Sequence, residues 1–174
     1  ASKSRGLGDV YKRQISYGLN TSANFSATNL KIFIKQNNFF TSFDLIENLK
    51  KKKIIKNFTL PLVGKHNVQN CLAAISLSRS LNISYTKIKK SISQFQGVKR
   101  RFSILSNKNG NLIIDDYAHH PSEIKATLES LKLISKKNII TIIEPHRFSR
   151  LTSFLPDFIK SLSESNSIFV LPVY

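Results

Sequence analysis

Two short polar segments of the chain carry residue types that could do chemistry, and each follows an apolar run. Residues 115–121 read Asp-Asp-Tyr-Ala-His-His-Pro and follow the run 112–114, while residues 144–150 read Glu-Pro-His-Arg-Phe-Ser-Arg and follow the run 139–143. An amphipathic stretch comes after each segment. In an open α/β sheet, ligands bind outside the carboxyl ends of the strands. The sequence therefore predicts one crevice that collects a carboxylate, a tyrosine, histidines and two arginines.

In the first segment, Asp116 ends a predicted strand, where its carboxylate would suit ribose hydroxyls or a metal ion. Tyr117, His119 and His120 follow in the turn. A single aspartate before a helix that starts with proline often only caps that helix or interacts with its dipole. The two neighbouring histidines favour a functional role here, although their spacing does not indicate zinc because no third and fourth ligands are evident.

In the second segment, Arg147 and Arg150 lie three residues apart after a predicted buried strand, and His146 precedes them. Paired guanidinium groups are well suited to binding a carboxylate bidentately. The alternative is a salt bridge at the start of a helix. Ser149 has no convincing Ser-His-Asp partners, so a serine nucleophile is not predicted.

A third cluster lies in residues 64–70, Gly-Lys-His-Asn-Val-Gln-Asn, at the start of a predicted helix. Asn67 and Asn70 are three residues apart and therefore point the same way. A carboxamide both donates and accepts, so such a pair can read the edge of a nucleobase. The alternative is that Asn67 merely caps the helix.

A fourth cluster, residues 98–102 with the sequence Val-Lys-Arg-Arg-Phe, follows a predicted domain boundary at Gln96 and Gly97. An arginine there could reach the ribose or phosphate of a ligand held between two domains, or the segment could be a solvated basic linker. The chain has no glycine-rich phosphate loop of the G-x-x-x-x-G-K-[ST] type. These residues could thus bind a base and an anionic small molecule, but they could not cradle a triphosphate.

The elements that must position these clusters follow from periodicity and turn residues. Short strands are predicted at residues 15–19, 30–34, 39–45, 54–60 and, as a buried last strand, 167–171. Helices are predicted at 67–81, from a cap at Thr86, from Pro121, and as one helix with apolar positions from Leu151 to Leu162. A hairpin is predicted over 102–115 with its turn at 107–110.

Alternating strands and helices after residue 97 predict an α/β fold with a parallel, doubly wound sheet. Three strands are too few for a finished sheet, so an interrupted domain is expected. Residues 1–14 show no convincing periodicity and are treated as an unassigned tail.

Composition narrows the class of protein. The 174 residues include 41% hydrophobic residues, enough for a core, with no membrane-length apolar run and no signal-peptide pattern. The one cysteine, Cys71, excludes an internal disulfide framework and is predicted to lie on a buried helix face. A reducing, cytoplasmic setting without membrane attachment is expected.

The formal net charge of +17 admits a nucleic-acid-binding module as an alternative. The lysines are spread along the whole chain, however, and no aromatic strand pattern of an RNA-binding domain accompanies them. A solvated basic surface is therefore favoured, and such a field would also suit an anionic nucleotide substrate. No nucleic-acid partner is predicted.

The order of four motifs resembles the Mur ligases, over roughly residues 15–174. The motifs are residues 64–74 (GKHNVQNCLAA), 95–102 (FQGVKRRF), 115–121 (DDYAHHP) and 145–150 (PHRFSR). The resemblance implies that residues 15–96 are the end of a central ATP-binding domain. It also implies that residues 97–174 begin a Rossmann-like C-terminal domain that binds an amino acid.

The resemblance further implies ATP-dependent joining of L-alanine to the carboxylate of UDP-N-acetylmuramate through an acyl phosphate, in peptidoglycan synthesis. Four residues would contact ATP: Asn67, Asn70, Arg101 and Asp116. Five would surround the incoming amino acid: Tyr117, His119, His146, Arg147 and Arg150. His119 and Arg147 would also be catalytic. Closure of the two domains would exclude water from the hydrolysable intermediate.

The chain also departs from the family pattern. It lacks the UDP-sugar-binding domain, the phosphate loop, and the glutamate and histidine that hold Mg²⁺ in the family, so a fragment that is inactive alone is expected. ATP and Mg²⁺ are the expected cofactors, with the Mg²⁺ ligands in the missing part. A rival is the branch that attaches a whole tripeptide, which shares the 115–121 motif. That branch resembles Glu-Pro-Arg-Ser-Asn at the later loop, whereas residues 145–150 of this chain favour the alanine branch.

Overall fold

The computed structural model describes residues 14–36 and 38–173. These residues form two lobes that meet near residue 100 and contain eight strands and five helices. The predicted tail of residues 1–14 lies outside the described residues except for Gln14. No helix in the described part of the chain is long and apolar enough to cross a membrane.

The first lobe is a four-stranded sheet covered by two helices. Its strands, in spatial order, are β1 (Tyr17–Gly18), β2 (Phe25–Lys35), β3 (Asn38–Glu47) and β4 (Lys53–Leu60), with β1 parallel to β2 and the other pairs antiparallel. Side chains alternate between the two faces of a strand, so Phe43 and Leu45 point the same way as Phe58 and Leu60 on the partner strand and are buried. The four predicted strands are confirmed, although β2 starts five residues earlier than expected.

Helices α1 (Lys65–Ser80) and α2 (Tyr85–Ser93) close this core. The helical spacing of Val68, Leu72 and Ile75 buries all three against the sheet, as the sequence predicts. The cap predicted at Thr86 is wrong. Ser84 caps α2 instead, because its extended backbone lets the hydroxyl accept from the Lys87 N–H at 3.4 Å.

A buried carboxylate joins both helices to the sheet. Glu47, at the end of β3, accepts a hydrogen bond from the Tyr85 hydroxyl and lies 3.6 Å from Arg79 Nε. The Arg79 guanidinium also lies 4.4 Å from the centre of the Tyr85 ring. A buried charge requires such partners, so this group fixes where α1 ends and α2 begins.

The second lobe begins with the predicted hairpin, β5 (Ser103–Lys108) and β6 (Asn111–Asp115). Its two turn residues, Asn109 and Gly110, both have positive φ, of 51° and 72°. That conformation belongs to the type I′ turn, which Asn-Gly favours. The remaining elements are α3 (Pro121–Ile134), β7 (Ile140–Ile143), α4 (Phe148–Ser153), α5 (Leu155–Leu162) and β8 (Ser167–Val170).

The expected parallel pairing is present between β7 and β8. Strand β6 does not join them: among the described residues it hydrogen-bonds only β5, and a crevice lined by Ile114, Asp116 and β7 separates it from β7. The expectation that the last strand is buried is wrong, since every residue of β8 is exposed. Ile140 and Ile142 of β7 are exposed as well. A two-stranded sheet has too few neighbours to cover both faces.

The single helix predicted from Leu151 to Leu162 is two helices. The break falls at Phe154, just before Pro156. Proline has no N–H to continue the ladder and its ring clashes with the preceding turn. Only Phe158 and Leu162 of the predicted apolar positions are buried, against Ile124 and Leu128 of α3.

The two lobes share an apolar cluster and a close helix contact. Phe39 and Val63 of the first lobe pack with buried Phe102, which leads into β5. Beside this cluster, Gly64 at the start of α1 approaches Ser130 of α3. A Cβ at Gly64 would overlap Ser130 Oγ and lie 2.8 Å from the His66 ring.

The core contacts predict the effect of shortening a buried side chain of α1. Ile75→Ala should lower the free energy of unfolding by about 2–5 kcal/mol, because it leaves a cavity in a fully buried cluster. Leu77→Ala on the exposed side of the same helix should change it by less than about 0.5 kcal/mol. Urea denaturation of both variants checks this, and equal losses would contradict the assigned helix orientation.

The close approach at Gly64 predicts that a side chain there would lower the melting temperature. Gly64 has φ of 102°, a conformation that side chains rarely adopt, and it has no room for a Cβ. Gly64→Ala should therefore lower the melting temperature by several degrees, as expected for a loss of about 1–2 kcal/mol. Gly97→Ala is the matched control, because φ there is also left-handed, at 79°, but a Cβ would meet only Leu62 Cδ2, at 3.4 Å. Similar melting temperatures for the two variants would show that the lobes do not meet at Gly64.

Candidate functional site

A cavity of about 440 Å³ lies between α1, α2, the end of β4 and the segment that links the lobes. Its walls are mostly apolar and include Ile75, Ile88, Ile92 and Phe95. Three residues that the sequence singles out lie at its lining: Asn67, Asn70 and Arg101. A mostly apolar cavity with a few convergent polar groups is typical of a small-molecule site.

The two asparagines occupy successive turns of α1. Asn67 Nδ2 donates to the Val63 carbonyl at 2.7 Å. The proposed capping role of Asn67 is wrong, since Gly64 is the residue before the first helical turn and Asn67 is the third residue of the helix. Because its amide nitrogen is already bound, Asn67 can turn its oxygen towards a ligand. Asn70 is exposed and also lines the cavity.

The thiol of Cys71 also lines this cavity. The residue is buried on α1, as predicted. Burial raises the pKa of the thiol to about 12. The group is therefore neutral at pH 7 and acts as a small apolar wall, not as a nucleophile.

Arg101 reaches the cavity from a strained linker. Gly97, Arg100 and Phe102 have φ of 79°, 58° and 51°. Left-handed φ is uncommon for residues with side chains, and for a bulky one it is a genuine outlier. Burial of Phe102 offsets the cost of its left-handed backbone. Arg101 lies between two left-handed residues and lines the cavity.

Asp116 lies at the carboxyl end of β6, as predicted, but not at the cavity. Its Oδ2 accepts from the Thr127 hydroxyl at 2.6 Å, and the residue lines the crevice beside β7. Its negative charge also acts on His66 of the first lobe. Burial lowers the pKa of His66, while Asp116 and Glu129 act to raise it.

Two residues near Asp116, His120 and Glu123, stabilise the start of α3. His120 caps the helix: its ring nitrogen accepts from the Ser122 N–H, and Glu123 accepts from the N–H groups of His119 and His120 at 3.0 and 3.2 Å. The alternative in which Asp116 caps this helix is therefore wrong. Burial acts to raise the pKa of Glu123, but these two donors and the charges of His119 and Arg101 hold it below its ordinary value.

A row of flat side chains connects the linker to both polar segments. The Arg100 guanidinium carbon lies 5.0 Å from the centre of the Tyr117 ring, the Tyr117 and His119 rings are 5.2 Å apart, and the His119 and His146 rings are 6.3 Å apart. His119 Nδ1 is 2.9 Å from the Tyr117 carbonyl oxygen. The structure thus brings His119 and His146 of the two polar segments close to each other, whereas Asp116 lines the separate crevice beside β7. The single crevice that would also collect Asp116, Arg147 and Arg150 stays a prediction.

The two arginines of the second segment lie at the first turn of α4. Arg147 precedes the helix, is exposed and has φ of 70°. Arg150 has one guanidinium nitrogen, Nη1, that is buried and has no hydrogen-bond partner among the described residues. Within residues 14–36 and 38–173 neither arginine forms a salt bridge, so the alternative of a helix-start ion pair finds no support there.

Three features of this region escape the sequence analysis: the Arg100 contact with Tyr117, the Thr127 partner of Asp116, and the role of Glu123. Glu123 had a readable signal, since a glutamate at the third helical position after a capping residue forms a capping box. The other two contacts join residues by tertiary packing. No group of three or more His, Cys, Asp or Glu in the described part of the chain could hold a metal ion.

Comparison with known protein families agrees with this layout. The Mur ligase middle domain matches residues 5–78, and the family described as Mur ligase, glutamate ligase domain, matches residues 100–171. The cavity lining that carries Asn67 and Asn70 belongs to the first match, and the 115–121 and 144–150 segments belong to the second.

Curated relatives share much of this sequence. The chain is 37% identical to a UDP-N-acetylmuramate–L-alanine ligase of Endomicrobium trichonymphae over 166 residues, which cover 95% of this chain and 35% of the relative. It is 39% identical to the ligase of that name in Agrobacterium fabrum, over 94% of this chain and 34% of the relative. The chain thus spans about a third of the length of these relatives.

Solved structures share the fold. The crystal structure of UDP-N-acetylmuramate-alanine ligase from Thermotoga maritima superposes with a TM-score of 0.75 at 27% identity, covering 92% of this chain and 34% of that one. A structure of MurF from Acinetobacter baumannii superposes with a TM-score of 0.70 at 20% identity, over 96% of this chain and 39% of that one. With two successive domains of one family matched along its length and the α/β arrangement of those ligases in its lobes, this chain belongs to the Mur ligases.

Proposed function

We propose that the chain is the part of an ATP-dependent ligase that binds the adenine end of ATP and the incoming amino acid, and that this ligase joins L-alanine to UDP-N-acetylmuramate in peptidoglycan synthesis. The observation that carries the proposal is the gathering of Asn67, Asn70 and Arg101 around one apolar cavity, next to the row of Tyr117, His119 and His146. The names of the relatives supply the amino acid and the sugar nucleotide. We expect the reaction in the cytoplasm, without nucleic-acid or membrane partners.

The cavity suits an adenine base. Its apolar walls can stack on the two faces of the base, and the free oxygen of Asn67 can accept from the exocyclic amine. Arg101, which also lines the cavity, carries a charge that suits a ribose or phosphate group. Asp116 lies across the lobe contact in the present arrangement, so its proposed contact with ATP requires the lobes to move relative to each other.

The second lobe suits an amino acid. The exposed Arg147 and the unpartnered Nη1 of Arg150 offer charged donors to a carboxylate. His119 Nδ1 lies against the Tyr117 carbonyl oxygen, so Nδ1 carries the hydrogen and Nε2 is left to accept a proton. We assign His119 the removal of a proton from the amine of L-alanine. We assign Arg147 the stabilisation of negative charge as the new amide bond forms.

The described residues do not form a Mg²⁺ site. ATP supplies the leaving group: it phosphorylates the sugar carboxylate, the amine attacks the resulting acyl phosphate, and phosphate departs. The side chains of this chain bind the base, orient the amine and neutralise charge.

Nucleotide binding by this chain is testable directly. Asn70→Ala should weaken ATP binding about two- to tenfold, because it removes one hydrogen bond to the base. Gln69→Ala, on the exposed neighbouring position of α1, should leave it unchanged. Titration of the 174-residue chain with ATP, followed by ligand-observed NMR, gives both affinities. Equal affinities for the two variants and the unaltered chain would exclude the cavity as the base site.

The acceptor is tested with the protein produced from the gene that carries this sequence. With UDP-N-acetylmuramate and ATP, phosphate release should depend on L-alanine and not on a tripeptide. Arg147→Ala should lower kcat/KM for L-alanine about ten- to a hundredfold, as expected for loss of a hydrogen bond to a charged group. Ser149→Ala in the first turn of α4 is the control and should retain activity.

Faster phosphate release with the tripeptide would favour the alternative, a tripeptide ligase. Loss of activity in Ser149→Ala equal to that in Arg147→Ala would contradict the assigned role of Arg147.

A further inference from the structure

We propose that Arg100 is a positioning residue that sets the Tyr117 ring at the amino-acid site and ties that ring to the linker carrying Arg101. The inference rests on the proposed function, because Tyr117 is assigned there to the incoming amino acid. Arg100 and Arg101 are adjacent in the linker, yet they lie at different places. Arg101 lines the cavity, and Arg100 contacts Asp115 and Tyr117 at the end of β6.

Three contacts hold Arg100 to the second lobe. Its guanidinium carbon lies 5.0 Å from the centre of the Tyr117 ring, which is within cation–π range. Its Nε is 3.6 Å from Asp115 Oδ2, and its carbonyl oxygen accepts from the Tyr117 N–H at 2.7 Å. The side chain and the backbone of Arg100 therefore fix the same neighbour.

The backbone of the linker explains why Arg100 lies over Tyr117 while Arg101 lies at the cavity. Arg100 and Phe102 both have left-handed φ, of 58° and 51°, and Phe102 is anchored in the apolar cluster between the lobes. This conformation sends the side chain of Arg100 over Tyr117, while Arg101 lies at the cavity.

The Tyr117 ring has little other support. It is about half exposed, and its other ring contact is with His119, edge to face at 5.2 Å. His119 in turn lies 6.3 Å from His146 of the second polar segment. A displaced Tyr117 ring would therefore alter the wall against which an amino-acid side chain rests and the imidazole assigned to accept its proton.

The first measurement concerns the ring itself and needs no activity. In the 174-residue chain, ¹H–¹³C spectra would resolve the Tyr117 ring signals, identified by their loss in Tyr117→Phe. Arg100→Ala should shift these signals, and Arg100→Lys, which keeps a cation near the ring and Asp115, should shift them less. Lys99→Ala removes a charge from the same exposed linker and should leave them in place.

The second measurement uses the protein produced from the gene. Arg100→Ala should raise KM for L-alanine about two- to fivefold, the range expected for one exposed cation–π contact, with a smaller change in KM for ATP. Arg100→Lys should restore part of the loss, and Lys99→Ala should match the unaltered protein.

Tyr117 signals that stay in place in Arg100→Ala would overturn the proposal, as would an unchanged KM for L-alanine or an equal effect of Lys99→Ala. If the unaltered protein did not use L-alanine, the proposed function would fail on that result alone. The ring spectra would still decide whether Arg100 positions Tyr117. Melting temperatures of the three linker variants would show whether a ring shift reflects unfolding, and a shift seen only in an unfolded variant would also overturn the proposal.

Discussion

The apolar contact between the lobes is the interaction on which the site depends. Phe102 packs against Phe39 and Val63, so the last residue of the linker is buried in a cluster that both lobes build. Val63 has a second role, because its carbonyl oxygen accepts from the Asn67 amide. One cluster thus fixes where the linker passes and how the first cavity asparagine is oriented. Loosening this cluster would disturb both the cavity and the segments 115–121 and 144–150.

The linker conformation follows from that anchor. Left-handed φ at Arg100 and Phe102 costs free energy for residues with a Cβ, and the burial of Phe102 offsets it. As a result, two adjacent arginines contact different parts of the site: Arg100 contacts Tyr117, and Arg101 lines the cavity. Gly64 extends the same constraint on the other side of Val63, because only a residue without a Cβ lets the start of α1 approach Ser130 so closely.

Local patterns predicted most of the elements, and tertiary context decided the rest. The helical spacing of Val68, Leu72 and Ile75 and the Asn-Gly turn of the hairpin are strong local signals, and the structure bears both out. The break before Pro156 was readable from the proline, whereas the exposure of β8 was not, since burial of a strand depends on its neighbours. Of the site, the three-residue spacing of Asn67 and Asn70 predicted that the two side chains share one face, and both line the cavity. The Arg100 contact depends on a backbone angle that no residue type dictates.

The charge of the chain suits anionic ligands, and three of its carboxylates already have partners within the described residues. Glu47 binds Tyr85 and Arg79, Asp116 binds Thr127, and Glu123 binds two backbone N–H groups. The hydrogen bonds that lower the pKa of Glu123 also keep it directed at its own helix. Over the whole chain, 27 Lys and Arg residues stand against 10 Asp and Glu residues. The excess leaves a positive field for a nucleotide and a carboxylate substrate, while Arg101, Arg147 and Arg150 supply the directional contacts.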